Sequence, residues 1–462
     1  MPYPGGTPVR VDICCARYTL GYRRMRAEVT VSLAKGGIGD VVVDWESIDL
    51  GLTGPDYVTG DEQHEVFAFM RAEEPVHWTK GSHERGFWSL TRHEDCVAVL
   101  NSPGLFSSQA GSQLPPKGPT PTPEYLHKIG ADVRLTHQDP PNHTQLRRPL
   151  NPHFSVPSSK KYRDGIEALV VKLIAGVNRP GEVDLVEDLC APLPVNVFLR
   201  LMDVPEEKWD EVRELAKSII NPEDPVRAHG RDPRTVQADG FAALFEYMRA
   251  DLMARRGASD TSFATTLANM RIDGEYLSER WVGWMGTTVT AAGLESTRDT
   301  AAVGLMEFIR HPDQAALLRN DPSLAPKAVE EVLRFVTPSK NRLRVATADT
   351  VIGDKQIKEG DWVVSWLTSA NRDPEVFARP NEFDITRDPN PHLSFGLGTH
   401  MCLGRNVARI ELELIFQKFL AAFPDAKELE PGPEWIISGQ VVSGLKHYPV
   451  QLLADEPVGA SA

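Results

Sequence analysis

Apolar residues recur at helical spacing along most of this chain, and period-two alternation is confined to short runs. The longest helical pattern runs from Glu275 to Arg310 and stops at His311-Pro312. A second strong one follows residue 402, where Leu403, Val407, Ile410, Leu414, Ile415 and Phe419 line one stripe. Residues 161–256 alternate amphipathic helices with breaks at Pro180, Pro192, Pro205 and Pro222, and Asn221 to Thr235 is charged and loop-like. Shorter helices are expected over Glu62–Arg71, ending at Pro75, and from Glu94 to Leu100, stopped by Pro103. Val76–Trp78 and Phe87–Thr91 alternate as two strands of a hairpin. Val351–Val364 reads as short strands around turns at Gly353-Asp354 and Glu359-Gly360-Asp361, and Val441–Leu445 as a terminal hairpin. The pattern predicts one large, mainly α domain with small β-sheets over residues 41–454, preceded by an extension (1–40) and followed by a loose tail (455–462).

Composition narrows the class. The chain has 462 residues, 41% hydrophobic and 25% charged, the balance of a globular protein with a large core. A net charge of −14 argues against nucleic acid as a partner. Five scattered cysteines, Cys14, Cys15, Cys96, Cys190 and Cys402, make no disulfide framework and no metal-type Cys-x-x-Cys pair, so a reducing cytoplasm is expected. No apolar run has the length of a membrane anchor. Residues 1–40 carry Arg10, Arg17, Arg23, Arg24, Arg26 and Lys35 with few acids. That composition fits a transit peptide, but a disordered extension or an overlong start, with Met25 as the true one, is the reading preferred here.

Three stretches carry chemistry. Phe395-Gly-Leu-Gly-Thr-His-Met-Cys-Leu-Gly404 sets a lone cysteine, Cys402, just before a helix N-terminus, where the dipole and free N–H groups favour a thiolate. Gly396, Gly398 and Gly404 leave room for a flat group to approach the backbone, and His400 is a donor two residues before the sulfur. The centre of the longest helix breaks helical rules: Thr287-Thr-Val-Thr-Ala-Ala-Gly-Leu-Glu-Ser-Thr297. A mid-helix glycine costs about 1 kcal/mol against alanine, and hydroxyls there compete for backbone carbonyls. Ala292 and Gly293 leave space beside the backbone, with Glu295 and a hydroxyl as a proton relay. Finally, His143 and Arg147 follow Asp139-Pro-Pro four apart, on one helix face suited to a carboxylate.

Phe-x-x-Gly-x-His-x-Cys-x-Gly resembles the haem-ligand loop of the cytochrome P450 family, with every fixed position filled. The resemblance extends over about Trp45 to Leu453 and implies haem b with Cys402 as its iron ligand. It also implies haem-propionate contacts from His143, Arg147, Arg344 and His400, and a haem-binding role for Phe395 and Gly404. Arg342 competes with Arg344, since a strand puts both on one face; motif position favours Arg344. The family pattern Ala/Gly-Gly-x-Asp/Glu-Thr is matched at Ala292, Gly293 and Glu295, but Ser296 stands where threonine is usual. Serine keeps the hydroxyl and loses the methyl that restricts its rotamers; Thr297 is an imperfect substitute. Glu331-x-x-Arg334 and Arg387 match the family's buried structural ion pair and its later arginine. Thr288, Ala292, Ser339 and Val442 are the expected substrate contacts. The stretch from Phe106 to Asp132, rich in Pro, Gly, Ser and Thr, is too long for an idle connector and reads as a lid or binding loop.

The implied activity is monooxygenation of a small organic substrate, most simply hydroxylation, by a monomer of the bacterial type without a membrane anchor. No flavin or nicotinamide fingerprint occurs in a suitable context, so a ferredoxin and its reductase, fed by NAD(P)H, are the implied electron donors. Arg147, Arg148, Arg405 and Arg409 are the candidate docking cations. Oxidative coupling, dealkylation or nitration of a biosynthetic intermediate is the alternative within the enzyme class, and a haem-binding sensor the alternative outside it. Lys340 and Arg342 hint at a substrate with an acidic end, against a plain strand-end turn in solvent.

Overall fold

The computed structural model describes residues 44–52, 62–80, 85–115, 121–178, 181–222, 224–436 and 443–452. The expected extension at 1–40, the tail at 455–462 and Val442 lie outside them. Helices dominate, with one five-stranded sheet and several smaller ones. No helix among the described residues is long and apolar enough to cross a membrane.

Five strands form the main sheet: β1 (Val76–Thr79), β2 (Phe87–Leu90), β3 (Phe106–Ser107), β4 (Asn341–Ala346) and β5 (Trp362–Trp366), in spatial order β1-β2-β5-β4-β3. The β1–β2 hairpin is antiparallel, as the alternation predicts, and β5 joins β2 in parallel. β5 also pairs antiparallel with β4, setting Arg344 opposite Val363 and Arg342 opposite Ser365. Strand β3, inside the expected lid, adds to the far edge through Phe106 opposite Ala346.

The helices that matter to the site are α1 (Asn142–Arg147), α2 (Arg163–Val177), α3 (Pro192–Leu201), α4 (Trp209–Ile220), α5 (Pro233–Ala254), α6 (Glu279–Arg310), α7 (Ala325–Val336) and α8 (Arg405–Ala422). Helix α6 runs through the centre and packs against α3, α4, α5, α7 and α8. Small residues permit this. A Cβ on Gly283 would lie 2.6 Å from Phe245 and one on Gly286 2.7 Å from Leu252, both on α5. A Cβ on Gly304 would lie 2.6 Å from Phe416 of α8 and 2.8 Å from Val332 of α7. Phe308, Phe383 and Phe416 meet there with ring centroids 5.4 Å apart, at offset and edge geometries that each add about 0.5–1.5 kcal/mol beyond area burial.

Helix α6 begins at Glu279, later than Glu275, and Ser278 caps it by accepting from the Trp281 N–H at 3.4 Å. Glu275-Tyr276 instead pairs with Arg271-Ile272 across Asp273-Gly274, where positive φ values of 52° and 85° close a tight hairpin.

Candidate active site around Cys402

The Cys402 loop is held by its own backbone and by α7. The Cys402 N–H donates to Phe395 O at 2.8 Å, and Met401 N–H to Gly398 O at 3.1 Å. Gly396 and Gly398 take φ of 68° and 64°, and a Cβ on Gly398 would lie 2.8 Å from Leu100 O. Ser394 Oγ donates to Leu333 O at 2.6 Å, tying the loop to α7. Cys402 sits half-buried three residues before α8, whose N-cap is Gly404. Burial pushes its thiol above the ordinary range, while the Gly404 N–H and the charges of Arg147, Arg342 and Arg405 pull the other way.

Two adjacent glutamates of α7 brace this loop. Glu331, fully buried, accepts from Arg334 Nη2 at 2.7 Å and Nε at 2.8 Å, from Arg387 Nε at 3.1 Å and from Asn390 Nδ2 at 3.0 Å. That is the ion-pair set expected of Glu331, Arg334 and Arg387. Glu330 takes Arg409 through Nε at 2.6 Å and Nη2 at 2.8 Å, and His392 at 3.1 Å. Arg409 lies 4.6 Å above the Phe395 ring. It is therefore a brace under the loop, in contrast to its expected place among the docking cations.

Basic and donor groups gather beside the sulfur. His143 is buried, its Nδ1 has no partner, and its ring lies 4.2 Å from that of His400. His400 Nε2 lies 3.1 Å from Ser108 Oγ, a contact with no signal in the sequence. Burial, with neighbouring positive charges, lowers His143 to about 4 and His400 to about 3. Arg344 is buried, donates Nη1 to Leu343 O at 2.7 Å, and is lowered to about 10 by burial and by Arg342. Burial lowers Arg342 to about 10, and the Cys402 sulfur pulls the other way. Both arginines thus belong to this cationic set, and the expected choice between them dissolves. Arg147 reaches the loop backbone as well as a neighbour on its own segment. It donates Nη1 to Thr399 O at 3.3 Å, Nη2 to Met401 O and Nε to Asn151 Oδ1 at 3.2 Å. Helix α1 ends at Arg147 and delivers its guanidinium to loop carbonyls.

A thiol at a helix start, an orphaned buried imidazole donor, and one buried and one half-buried guanidinium without a full complement of carboxylates make the donor set that haem b requires. One soft ligand would serve the iron, and several cations its two propionates. A concavity of about 510 Å³ opens beside the loop, lined by Arg147, Phe154, Met401, Leu403, Arg405 and Asn406.

The centre of α6 is open on one stripe only. Thr288, Val289, Ala292, Gly293 and Ser296 are accessible, Ala292 the most, while Thr287, Thr290, Ala291, Leu294, Glu295 and Thr297 are buried. Thr288, Ala292 and Ser296 repeat at four residues, so one face points into open space. The hydroxyls bond back as expected: Thr288 Oγ1 to Trp284 O at 2.7 Å, Ser296 Oγ to Ala292 O at 3.1 Å and Thr300 Oγ1 to Ser296 O at 2.7 Å. Thr297 lies in the core and is no stand-in for Ser296. Gly293 departs from expectation: a Cβ there would lie 2.6 Å from the Phe198 ring of α3, so its bare face is used for packing and Ala292 is the residue beside open space.

Glu295 is 3% exposed and paired with Arg298 one turn on, which also donates to Asp299 through Nε at 2.9 Å and Nη2 at 2.6 Å. The Glu-x-x-Arg-Asp spacing is the sequence signal for this network. Burial raises the Asp299 carboxyl to about 7, against the pull of Arg298. Ser339 accepts from Gln113 Nε2 at 2.8 Å and from Arg342. Lys340 is fully buried, in contrast to a solvent-facing turn.

A cytochrome P450 family profile matches residues 226–433. Cytochrome P450 126 of Mycobacterium tuberculosis is 33% identical over 416 residues, covering 87% of this chain and 98% of the relative. The steroid C26-monooxygenase of the same organism is 32% identical over 416 residues, covering 90% and 100%. A Mycobacterium marinum cytochrome P450 solved in complex with pseudoionone superposes with a TM-score of 0.79 at 27% identity, covering 87% and 98%. With the cysteine loop, its cations and the open stripe of α6 in the same molecule, this chain belongs to the cytochrome P450 family of monooxygenases, oxidoreductases that bind haem b through a cysteine thiolate.

Proposed function

We propose that the protein hydroxylates a small, largely apolar organic molecule, drawing electrons from a ferredoxin and its NAD(P)H-dependent reductase in the cytoplasm. The observation that carries this reading is the single open stripe of Thr288, Ala292 and Ser296 on a helix buried elsewhere along its centre. Similarity to a steroid monooxygenase and to a protein that binds pseudoionone favours a compact isoprenoid-like body.

Bound haem b, ligated by Cys402, supplies the activation of dioxygen and the transfer of one oxygen atom. The chain's own residues bind, orient and move protons. His143, His400, Arg344 and Arg342 hold the acidic edge of the cofactor, Arg147 steadies the loop from the other side, and Phe395 and Gly404 shape its seat. Ser296 Oγ, now bonded to Ala292 O, rotates to present its hydrogen on the open face. When Arg298 lets it swing out, the Glu295 carboxylate takes a proton from water and passes it to that hydroxyl. Thr288, Ala292 and Ser339 contact the substrate. For docking, Arg148 is exposed at the end of α1, and Arg405 lines the concavity beside the loop.

The test is reconstitution with a surrogate ferredoxin and reductase under 18O2, offering terpenoid and steroid alcohols and ketones. Product carrying one labelled oxygen, with NADPH consumed in step, is expected. Ligand binding without any substrate-dependent NADPH consumption points instead to a haem-binding sensor.

A further inference from the structure

Just after the stretch from Phe106 to Asp132 lies a buried cation that the haem site does not use. Arg134 is 8% exposed. Its Nη2 lies 2.8 Å from His137 Nε2, and its guanidinium carbon lies 4.6 Å from the centre of the Phe241 ring of α5. Burial and the nearby charges of Arg134, His400 and Arg344 hold His137 well below its ordinary range, so the imidazole is neutral. It accepts from Arg134 on one nitrogen and donates to Thr136 Oγ1, 3.0 Å away, with the other. A neutral acceptor and an aromatic face attract a cation but do not neutralise it. Asp132, two residues away, is paired to Arg280 at 2.6 Å. The Tyr125 phenol also lies in the field of Arg134, and its hydroxyl donates to Gln237 Oε1 at 3.3 Å.

Donors remain unmatched around it. Arg134 Nε has no partner, and neither has Nε1 of Trp284, a residue of α6 that is 2% exposed. Trp284 stacks on Phe245 and lies 5.8 Å from Phe241, the ring that also carries Arg134. The lid backbone folds onto Trp284 at Gly130, where a Cβ would lie 2.2 Å from the indole, and the Arg134 N–H donates to Gly130 O at 2.9 Å. Among the described residues no carboxylate pairs with Arg134, and α5 and α6 bring aromatic rings to it. Burying a cation without its counter-charge is strongly unfavourable, and an incoming anion removes that penalty.

We propose that Arg134 receives the carboxylate of the substrate, which is accordingly an amphipathic monocarboxylic acid with an apolar body. A guanidinium fork matches the planar carboxylate, and the aromatic walls disfavour a heavily hydrated dianion. This inference rests on the monooxygenase reading. A carboxylate in reach of Arg134 has two sources, the substrate and the haem propionates, because Arg134, Arg344 and His400 all act on His137.

The test uses the holoenzyme and paired probes: dodecanoate and 4-phenylbutyrate, each against its methyl ester, titrated by the spin-state shift. At least one acid is expected to bind about tenfold or more tightly than its ester, the size of one charge-assisted contact. Arg134→Gln erases that preference and leaves ester affinity within about twofold, and Arg134→Lys restores part of it. Equal affinity of every acid and its ester for the wild type, or a preference that survives Arg134→Gln, overturns the proposal. Loss of haem content in Arg134→Gln with the acid preference intact assigns Arg134 to a propionate and overturns it too. The reduced carbon monoxide spectrum reports separately on the monooxygenase reading.

Discussion

Arg298 donates through two nitrogens to one oxygen of its neighbour Asp299, at 2.6 and 2.9 Å, while its remaining nitrogen pairs with Glu295. One guanidinium thus divides between the acid expected to move protons and an acid deeper in the core. Lys340 adds positive charge on the Asp299 side, and Glu187 negative charge on the Arg298 side.

Burial raises Asp299 to about 7, so it gains charge as pH rises through neutrality and draws Arg298 away from Glu295. Coupling of NADPH to product should rise between about pH 6 and 8 in the wild type. In Asp299→Asn that rise should vanish, with Glu295 held throughout. The check is peroxide released per NADPH across the range; parallel profiles for the two proteins count against it.

Ser296 lies on the open stripe with no methyl to fix its rotamer. Ser296→Thr should lower peroxide per NADPH, and Ser296→Ala should cut coupled turnover by about tenfold or more. Identical coupling in all three proteins removes Ser296 from the relay.

Glu331 carries two arginines at zero exposure of its own side chain. Glu331→Gln leaves buried guanidinium groups short of charge, a loss on the order of 3–5 kcal/mol. Thermal unfolding and haem content measured together should both fall. A wild-type melting temperature contradicts the bracing role.

Glu411 of α8 is buried, one of its oxygens has no partner, and burial raises its carboxyl to about 8. The folded state keeps a proton that the unfolded chain releases near 4.5. This group's contribution is therefore intact below about pH 4.5 and is lost as pH rises toward 8. Glu411→Gln should melt close to the wild type at pH 5 and should be more stable by roughly 4 kcal/mol at pH 8, from 1.36 kcal/mol per pKa unit. A pH-independent difference between the two refutes it.

Arg405 donates Nη1 to Cys402 O at 3.0 Å, so Arg405→Glu disturbs the loop as well as any docking face. The exposed Arg148 separates the two effects. Arg148→Glu should slow reduction by ferredoxin several-fold at low salt and leave ligand affinity unchanged. Stopped-flow reduction at two ionic strengths decides it.

What was legible in the sequence was local. The cysteine loop declares itself through glycines at positive φ, α6 through hydroxyls that bond one turn back, and Glu331-Arg334 through spacing on one helix. The hairpin before α6 had its own mark in Asp273-Gly274, overridden by the longer helical pattern. What stayed hidden depends on partners distant in the chain. Phe198 fills the bare face of Gly293 from another helix. Arg409 turns to Glu330, and Arg147 to the carbonyls of Thr399 and Met401, both across long sequence separations. An arginine's spacing shows which face it shares, and only the fold decides which acceptor meets it.

The central claim is that Cys402 ligates haem iron as a thiolate. The most direct measurement is the absorption spectrum of the purified, dithionite-reduced protein under carbon monoxide, with Cys402→His as control. The account predicts a strongly red-shifted Soret band that the variant loses. An ordinary haem–carbon monoxide band in the wild type, or no haem at all, contradicts it.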